Sequence, residues 1–133
     1  MRVVDASVVL GWLLRHPLPA AHARVLDDHV TGEAPAAAPE LVQYEVAHVL
    51  ARGAGLDAVA ARSGYERFTA LEIQTFALGD EEYRAALELA LRRNITVYDA
   101  SYVALALALG TRLVTADRRL AERIAPLDIV DLV

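Results

Sequence analysis

A layout of short β-branched run, aspartate and apolar stretch occurs more than once in this chain, and it limits the possible folds more than any other feature. Ile95-Thr96-Val97-Tyr98 leads into Asp99-Ala100-Ser101-Tyr102 and an apolar run to Leu109; Gly110 follows, then Arg112-Leu113-Val114-Thr115 and Asp117-Arg118-Arg119-Leu120. The pattern predicts strand, helix, strand and helix start, with an acid at the carboxyl end of each strand. If the strands are parallel neighbours, both acids emerge on one edge of the sheet, the edge at which open α/β sheets bind ligands. Val3-Val4-Asp5-Ala6-Ser7-Val8-Val9-Leu10 repeats the layout of the segment from Val97 to Ala104 and brings a third carboxylate to the same kind of position.

The rest of the chain fits the same scheme. Strands are expected at Arg2 to Val4, at Ala36 to Ala38 between two prolines, as a short extended piece within Glu72 to Phe76, and at Asp128 to Val133. Helices are expected over Ala6 to Leu14, Ala20 to Val30, Glu40 to Arg52, Asp57 to Leu71 with Ser63-Gly64 as a place where it could break or shorten, Asp80 to Arg93 with Asp80 as N-cap, and Asp117 to Ile124. Helices alternating with four or five short strands imply a mainly parallel sheet covered on both faces, an α/β/α sandwich formed by one domain over 1–133. The helix after Asp99 is apolar nearly all round and therefore buried on most sides.

Composition removes several chemistries. The chain has no cysteine, which excludes disulfide frameworks, cysteine-ligated zinc and thiol catalysis. It has no lysine either, so the phosphate-loop lysine and Schiff-base chemistry are absent. A net charge of −5 argues against a broadly basic nucleic-acid surface and leaves phosphate contacts to arginine, whose planar fork suits them. No apolar run approaches the roughly 20 residues of a membrane span. With the first motif starting almost at Met1 and no leader before it, a soluble cytoplasmic protein is expected.

On the helix from Glu40, residues Leu41, Val42, Val46, Val49 and Leu50 form one apolar face, and Glu45 falls inside it. A carboxylate there is costly unless the face opens onto water, a cation or a partner. Taken singly, Asp5, Asp99 and Asp117 are each what an N-cap position selects, and Glu45 could turn to solvent. Taken together, three strand ends and one inward helix position aim four carboxylates at one region. Like charges about 4 to 6 Å apart repel by roughly 1 to 4 kcal/mol per pair at effective dielectrics of 80 down to 20. Oxygen ligands without histidine or sulfur suit a hard divalent ion, Mg2+ or Mn2+, and such an ion is often shared with a substrate phosphate. The expected chemistry is phosphate-ester cleavage by a metal-activated water, with Asp5 and Asp99 as first ligands, Glu45 orienting the water or completing a second site, and Asp117 as ligand or support. Ser7 and Thr115 lie near two of the acids and could hydrogen-bond a carboxylate or water; they are equally ordinary as turn and strand residues. The four histidines show no ligand spacing and are expected at the surface or satisfied, and Trp12 is expected in the core.

Asp5-Ala6-Ser7, Glu45 on its apolar helix, Tyr98-Asp99-Ala100-Ser101-Tyr102 and Thr115-Ala116-Asp117 together resemble PIN-domain ribonucleases, particularly the VapC-type toxins of toxin-antitoxin pairs. The resemblance covers essentially the whole chain. It implies a Mg2+- or Mn2+-dependent endoribonuclease, commonly a homodimer, held inactive by a cognate antitoxin, with the family's acidic quartet on Asp5, Glu45, Asp99 and Asp117. Arg118 and Arg119, directly after the fourth acid, and Arg15, at the end of the first helix, are candidates for RNA phosphate contacts. The competing class is a regulatory or binding module, such as a receiver-like domain phosphorylated on Asp99 or a silent PIN-like domain. The missing lysine and the unexplained Glu45 count against the receiver, and Ser7 stands where a haloacid-dehalogenase-type phosphatase would want a second aspartate.

Overall fold

Val3 and Val4 are both wholly buried although their side chains point to opposite faces of a strand, so layers must cover both sides of the sheet. The computed structural model describes residues 1–133. Its strands are β1 (Arg2–Val4), β2 (Ala36–Pro39), β3 (Gln74–Phe76), β4 (Leu113–Thr115) and β5 (Val130–Leu132). The helices are α1 (Ala6–Leu14), α2 (Ala20–Val30), α3 (Leu41–His48), α4 (Ala58–Ala70), α5 (Asp80–Arg93), α6 (Val97–Ala108) and α7 (Arg118–Ile124). The sheet order is β3-β2-β1-β4-β5 and every pairing is parallel, with Val3 opposite both Ala37 and Leu113. The expected α/β/α sandwich is therefore present, with five strands.

Successive connections step one way from β1 to β3, then return to β4 and step the other way to β5. Right-handed crossovers then set α1 to α4 on one face and α5 to α7 on the other. Packing agrees: α1 lies against α2, α3 and α4, whereas α6 lies against α5, β1, β2 and β4. The direction reverses between β1 and β4, and their carboxyl ends flank the crevice that such a reversal opens. The core joins both valines of β1, the alanines of β2, Val42 and Val46 of α3, and Tyr102 and Val103 of α6.

Several local expectations are corrected. Ile95 to Tyr98 is not a strand: Asn94 adopts the left-handed conformation (φ 53°) that ends α5, and the Thr96 hydroxyl accepts from the Asp99 amide at 3.0 Å to start α6. Asp99 therefore sits in the first turn of a helix. Ser63-Gly64 does not break α4, because Gly64 is buried where an added Cβ would lie 2.8 Å from Leu50; glycine there serves close packing. The helix from Glu40 changes to a π turn over Val49–Gly53. Gly79, rather than Asp80, is the N-cap of α5, and its amide donates to Glu82 Oε2 at 2.8 Å.

The histidines divide. His16 and His48 are exposed. His29 Nδ1 accepts from the Ala36 amide at 3.0 Å, so Nε2 carries the proton and donates to the Leu71 carbonyl at 2.6 Å, tying α2 to β2 and to the end of α4. Its ring also stacks with half-buried Trp12, whose indole N–H donates to the His22 carbonyl at 3.0 Å. His22 departs from expectation: it is buried and neither ring nitrogen has a hydrogen-bond partner.

Gly11 makes room for that ring, since a Cβ there would sit 2.6 Å from His22 Cδ2. Gly11→Ala should gain about 0.5–1 kcal/mol of helix preference and lose about 1–3 kcal/mol to overpacking, a net destabilisation readable as a lower denaturation midpoint. Truncating the ring in the same chain, Gly11→Ala with His22→Ala, should show positive coupling; strict additivity would contradict the contact. Burial, and then the nearby Arg15 charge, hold the His22 pKa below its ordinary value. The unfolded chain thus takes up the proton first, and stability should fall as pH drops through about 6.5, the unfolded histidine value.

Candidate functional site

β1 ends directly at Asp5, a buried aspartate whose Oδ1 caps α1 by accepting the Val8 amide at 3.2 Å. The same Oδ1 accepts from the Ser7 hydroxyl, and Oδ2 accepts from the Thr115 hydroxyl at the end of β4. These hydroxyls tie the two strand ends together, because Ser7 Oγ accepts from the Ala116 amide and Thr115 Oγ1 from the Asp117 amide, both at 2.9 Å. Asp117 caps α7 through the Leu120 amide at 3.1 Å. For Asp5 and Asp117, capping and site placement are one arrangement: the bond that starts the helix also fixes the carboxylate at the sheet edge.

Glu45 and Asp99 arrive from helices. Val42 and Val46 of α3 are buried while Glu45 between them is half-buried. The α3 face opens toward α6, where the buried Tyr102 donates its hydroxyl proton to Glu45 Oε2. Burial raises the Glu45 pKa; the Tyr102 bond opposes this, and the Asp99 and Asp5 charges add to it. Asp99 is likewise raised, first by burial, with Thr96 lowering it, Asp117 raising it and Arg119 lowering it. Asp5 is raised by burial against the pull of Ser7 and Thr115. Tyr102 is pushed up by burial and by Glu45, Asp5 and Asp99, so its hydroxyl stays a proton donor. All four carboxylates thus lie within electrostatic reach along one line of coupling, Asp5 to Glu45 to Asp99 to Asp117.

Proximity is not yet coordination. No three of the chain's histidine, aspartate and glutamate side chains are gathered closely enough to hold a metal as they stand. Asp5 is turned to two hydroxyls, Glu45 to Tyr102 and Asp117 to an amide. The donor set itself is all oxygen, the type that hard divalent ions take, and its charge excess is what a cation would relieve. Side-chain rotation of Glu45, Asp99 and Asp117 would have to complete such a site.

A cavity of about 250 Å³ beside Asp99 and Asp117 is lined also by Asn94, Thr96 and Arg119. Arg118 and Arg119 are both exposed and neither forms an ion pair with an acid, but only Arg119 lines this cavity and brings a cation beside Asp99. Arg15 belongs elsewhere: it caps the far end of the nine-residue α1, roughly 15 Å along the helix from Asp5. Tyr102 and Thr96 were not singled out as site residues from sequence. For Thr96 the signal existed, since Thr96-x-x-Asp99 before an apolar run has the spacing of a capping box. Tyr102 had none beyond its motif.

Tyr102→Phe keeps the buried ring and removes the donor to Glu45. Any catalysis that depends on Glu45 should drop about 10- to 100-fold, at a stability cost of roughly 1–3 kcal/mol. Undiminished turnover in a folded variant would show that Glu45 needs no such hold.

An all-parallel sheet of this order, with acids and hydroxyls converging where the strand direction reverses, defines an α/β domain whose site is built around carboxylates. The PIN domain family model matches residues 2–125, and the chain belongs to that family. It is 35% identical over 128 residues to Ribonuclease VapC9 of Mycobacterium tuberculosis, covering 92% of this chain and 90% of that protein. It is 36% identical over 125 residues to Ribonuclease VapC1 of the same organism, covering 90% and 87%. A shorter match, 48% identical over 59 residues, joins it to Ribonuclease VapC3 of Pyrobaculum aerophilum, spanning 44% of this chain and 43% of that relative. Among solved structures, PAE2754 from Pyrobaculum aerophilum superposes with a TM-score of 0.69 at 27% identity, covering 92% of this chain and 83% of that one. No helix is long and apolar enough to cross a membrane.

Proposed function

We propose that this chain, acting as one domain over 1–133, is a Mg2+- or Mn2+-dependent endoribonuclease and the toxin of a toxin-antitoxin pair. The single observation that carries the reading is geometric: Asp5 and Asp117 cap helices at the adjoining carboxyl ends of β1 and β4, while Glu45 of α3 is held by Tyr102 on α6, the helix whose first turn carries Asp99. Relatives named as VapC ribonucleases, matched over nine-tenths of the chain, support it.

Asp5 and Asp99 would hold the ion, with Glu45 and Asp117 completing or supporting its surroundings. When bound, such an ion lowers the pKa of a water and stabilises charge on a leaving oxygen. Ser7 and Thr115 keep the Asp5 carboxylate oriented, and Tyr102 does the same for Glu45. Arg119, beside Asp99 and Asp117, is placed to receive an RNA phosphate through its planar fork, with exposed Arg118 as its neighbour. The substrate then meets a local cation inside an acidic chain.

The reading includes a cognate antitoxin, a cytoplasmic setting and a homodimer. Leu87 and Leu91, one turn apart on α5 and 52% and 70% exposed, support an apolar contact of that last kind. The test is cleavage of a single-stranded RNA by the purified chain with Mg2+ or Mn2+. Products with 5′-phosphate and 3′-hydroxyl ends are expected, with water attacking the phosphorus and the 3′ oxygen leaving. Cyclic 2′,3′-phosphate ends formed without metal would refute the mechanism, and phosphotransfer to Asp99 from a small phosphodonor would favour the regulatory module instead.

A further inference from the structure

A second cavity, of about 260 Å³, lies on the same sheet edge across the first turn of α6 from the carboxylates. Its lining includes Pro39 and Phe76, the last residues of β2 and β3, with Tyr83 of α5 and Tyr98 of α6. Tyr98 directly precedes Asp99, so its Cα is about 3.8 Å from that of a proposed metal ligand. The two tyrosines are 62% and 56% exposed, which leaves ring surface open at the cavity. The volume falls just under the roughly 300–1,000 Å³ of drug-sized ligand sites, a fit for one heterocycle rather than a base pair.

Besides the Tyr83 and Tyr98 hydroxyls, which can donate or accept, the polar side chains at this cavity only accept. Glu40 is an exposed carboxylate on its rim, and the Ser101 hydroxyl has already given its proton to the Val97 carbonyl at 2.8 Å, leaving only lone pairs. Aromatic faces for stacking beside the acceptor-only Glu40 carboxylate describe a site for a planar base that carries adjacent N–H donors. Guanine answers best, since its N1–H and N2–H2 groups lie side by side and match both oxygens of one carboxylate. Uracil has a single N–H between two carbonyls and answers worst.

We propose that this cavity is a nucleobase subsite, which takes one unstacked, amino-bearing base of single-stranded RNA next to the scissile phosphate and prefers guanine to uracil. The inference rests on the ribonuclease reading for its substrate class. It adds a place for one base beside the cleavage site and a preference among bases.

The test uses a single-stranded RNA oligonucleotide carrying one 6-thioguanosine, irradiated on the protein, with the adduct mapped by mass spectrometry. Adduct is expected at Tyr98 or Tyr83 and should fall at least about fivefold in Tyr98→Ala, while Tyr98→Trp retains it. In steady-state cleavage, Tyr98→Ala should raise KM roughly 5- to 150-fold, as loss of base stacking does, with a smaller change in kcat. Glu40→Gln should narrow the preference for guanine over uracil.

Crosslinking does not require turnover, so the two readings fail separately. Adduct at the tyrosines without cleavage would keep the subsite and remove the nuclease. Normal cleavage with adduct elsewhere, or a KM indifferent to Tyr98→Ala, would overturn the subsite alone. Absence of any adduct and of cleavage would overturn both. Equal efficiency on a fully paired duplex would also overturn the subsite.

Discussion

Asp5→Asn is expected to lower RNA cleavage by at least about 100-fold while leaving the chain folded, since even groups that merely orient a metal ligand are worth about 10- to 100-fold. Asparagine caps a helix about as well as aspartate, so the Val8 amide keeps its acceptor. The Thr115 hydroxyl can rotate to accept from the new amide in place of donating to Asp5 Oδ2. What is lost is the charge. Circular dichroism and the denaturation midpoint should therefore match the parent within about 1 kcal/mol, which separates loss of chemistry from loss of fold. Asp99→Asn should behave alike, because Asp99 is held through its backbone amide by Thr96 and its carboxylate caps nothing. Retained activity in either folded variant would remove that residue from the site.

Stripping divalent ions is expected to abolish cleavage, and added Mg2+ or Mn2+ to restore it. The coupled carboxylates also make a prediction independent of turnover. An ion that binds the folded chain and not the unfolded one stabilises it by about 2.7 kcal/mol at a hundredfold excess over Kd, several degrees of melting temperature for a domain of this size. That thermal shift should vanish in Asp5→Asn and shrink in Glu45→Gln. A parent chain that neither shifts with Mn2+ nor loses activity in chelator would leave the repulsion between Asp99, Glu45 and Asp117 as a structural oddity and end the metal hypothesis.

Much of the arrangement was legible in residue patterns. Val3-Val4-Asp5 and Leu113-Val114-Thr115 read correctly as buried strands running into acids, because both faces of a central parallel strand must be apolar and the acid doubles as a helix cap. The apolar face of α3 with Glu45 set into it predicted an opening onto water, a cation or a partner; within the fold it is the Tyr102 hydroxyl that meets Glu45, a contact no local pattern announced. Ile95 to Tyr98 read wrongly. Its β-branched and aromatic residues favour a strand in isolation, but the left-handed Asn94 and the Thr96 cap turn the chain straight from α5 into α6. Packing of α6 against the sheet outweighs a preference worth at most about 1 kcal/mol. The acid nonetheless reached the site, since a residue in the first turn of a helix entering from that edge occupies much the same place as one ending a strand.

What the amino-acid order alone determined was the set of layers and the identity of the acids: hydrophobic periodicity is local, and so is the aspartate that ends a strand and opens a helix. Which strand lies beside which, and so which acids meet, was decided in three dimensions. Thr115 reaches Asp5 across 110 residues, Tyr102 reaches Glu45 across 57, and His22 is pressed unpaired against Gly11. Those contacts depend on the sheet order and on how closely helices approach, quantities set by the packing of the whole core and carried by no short stretch of chain.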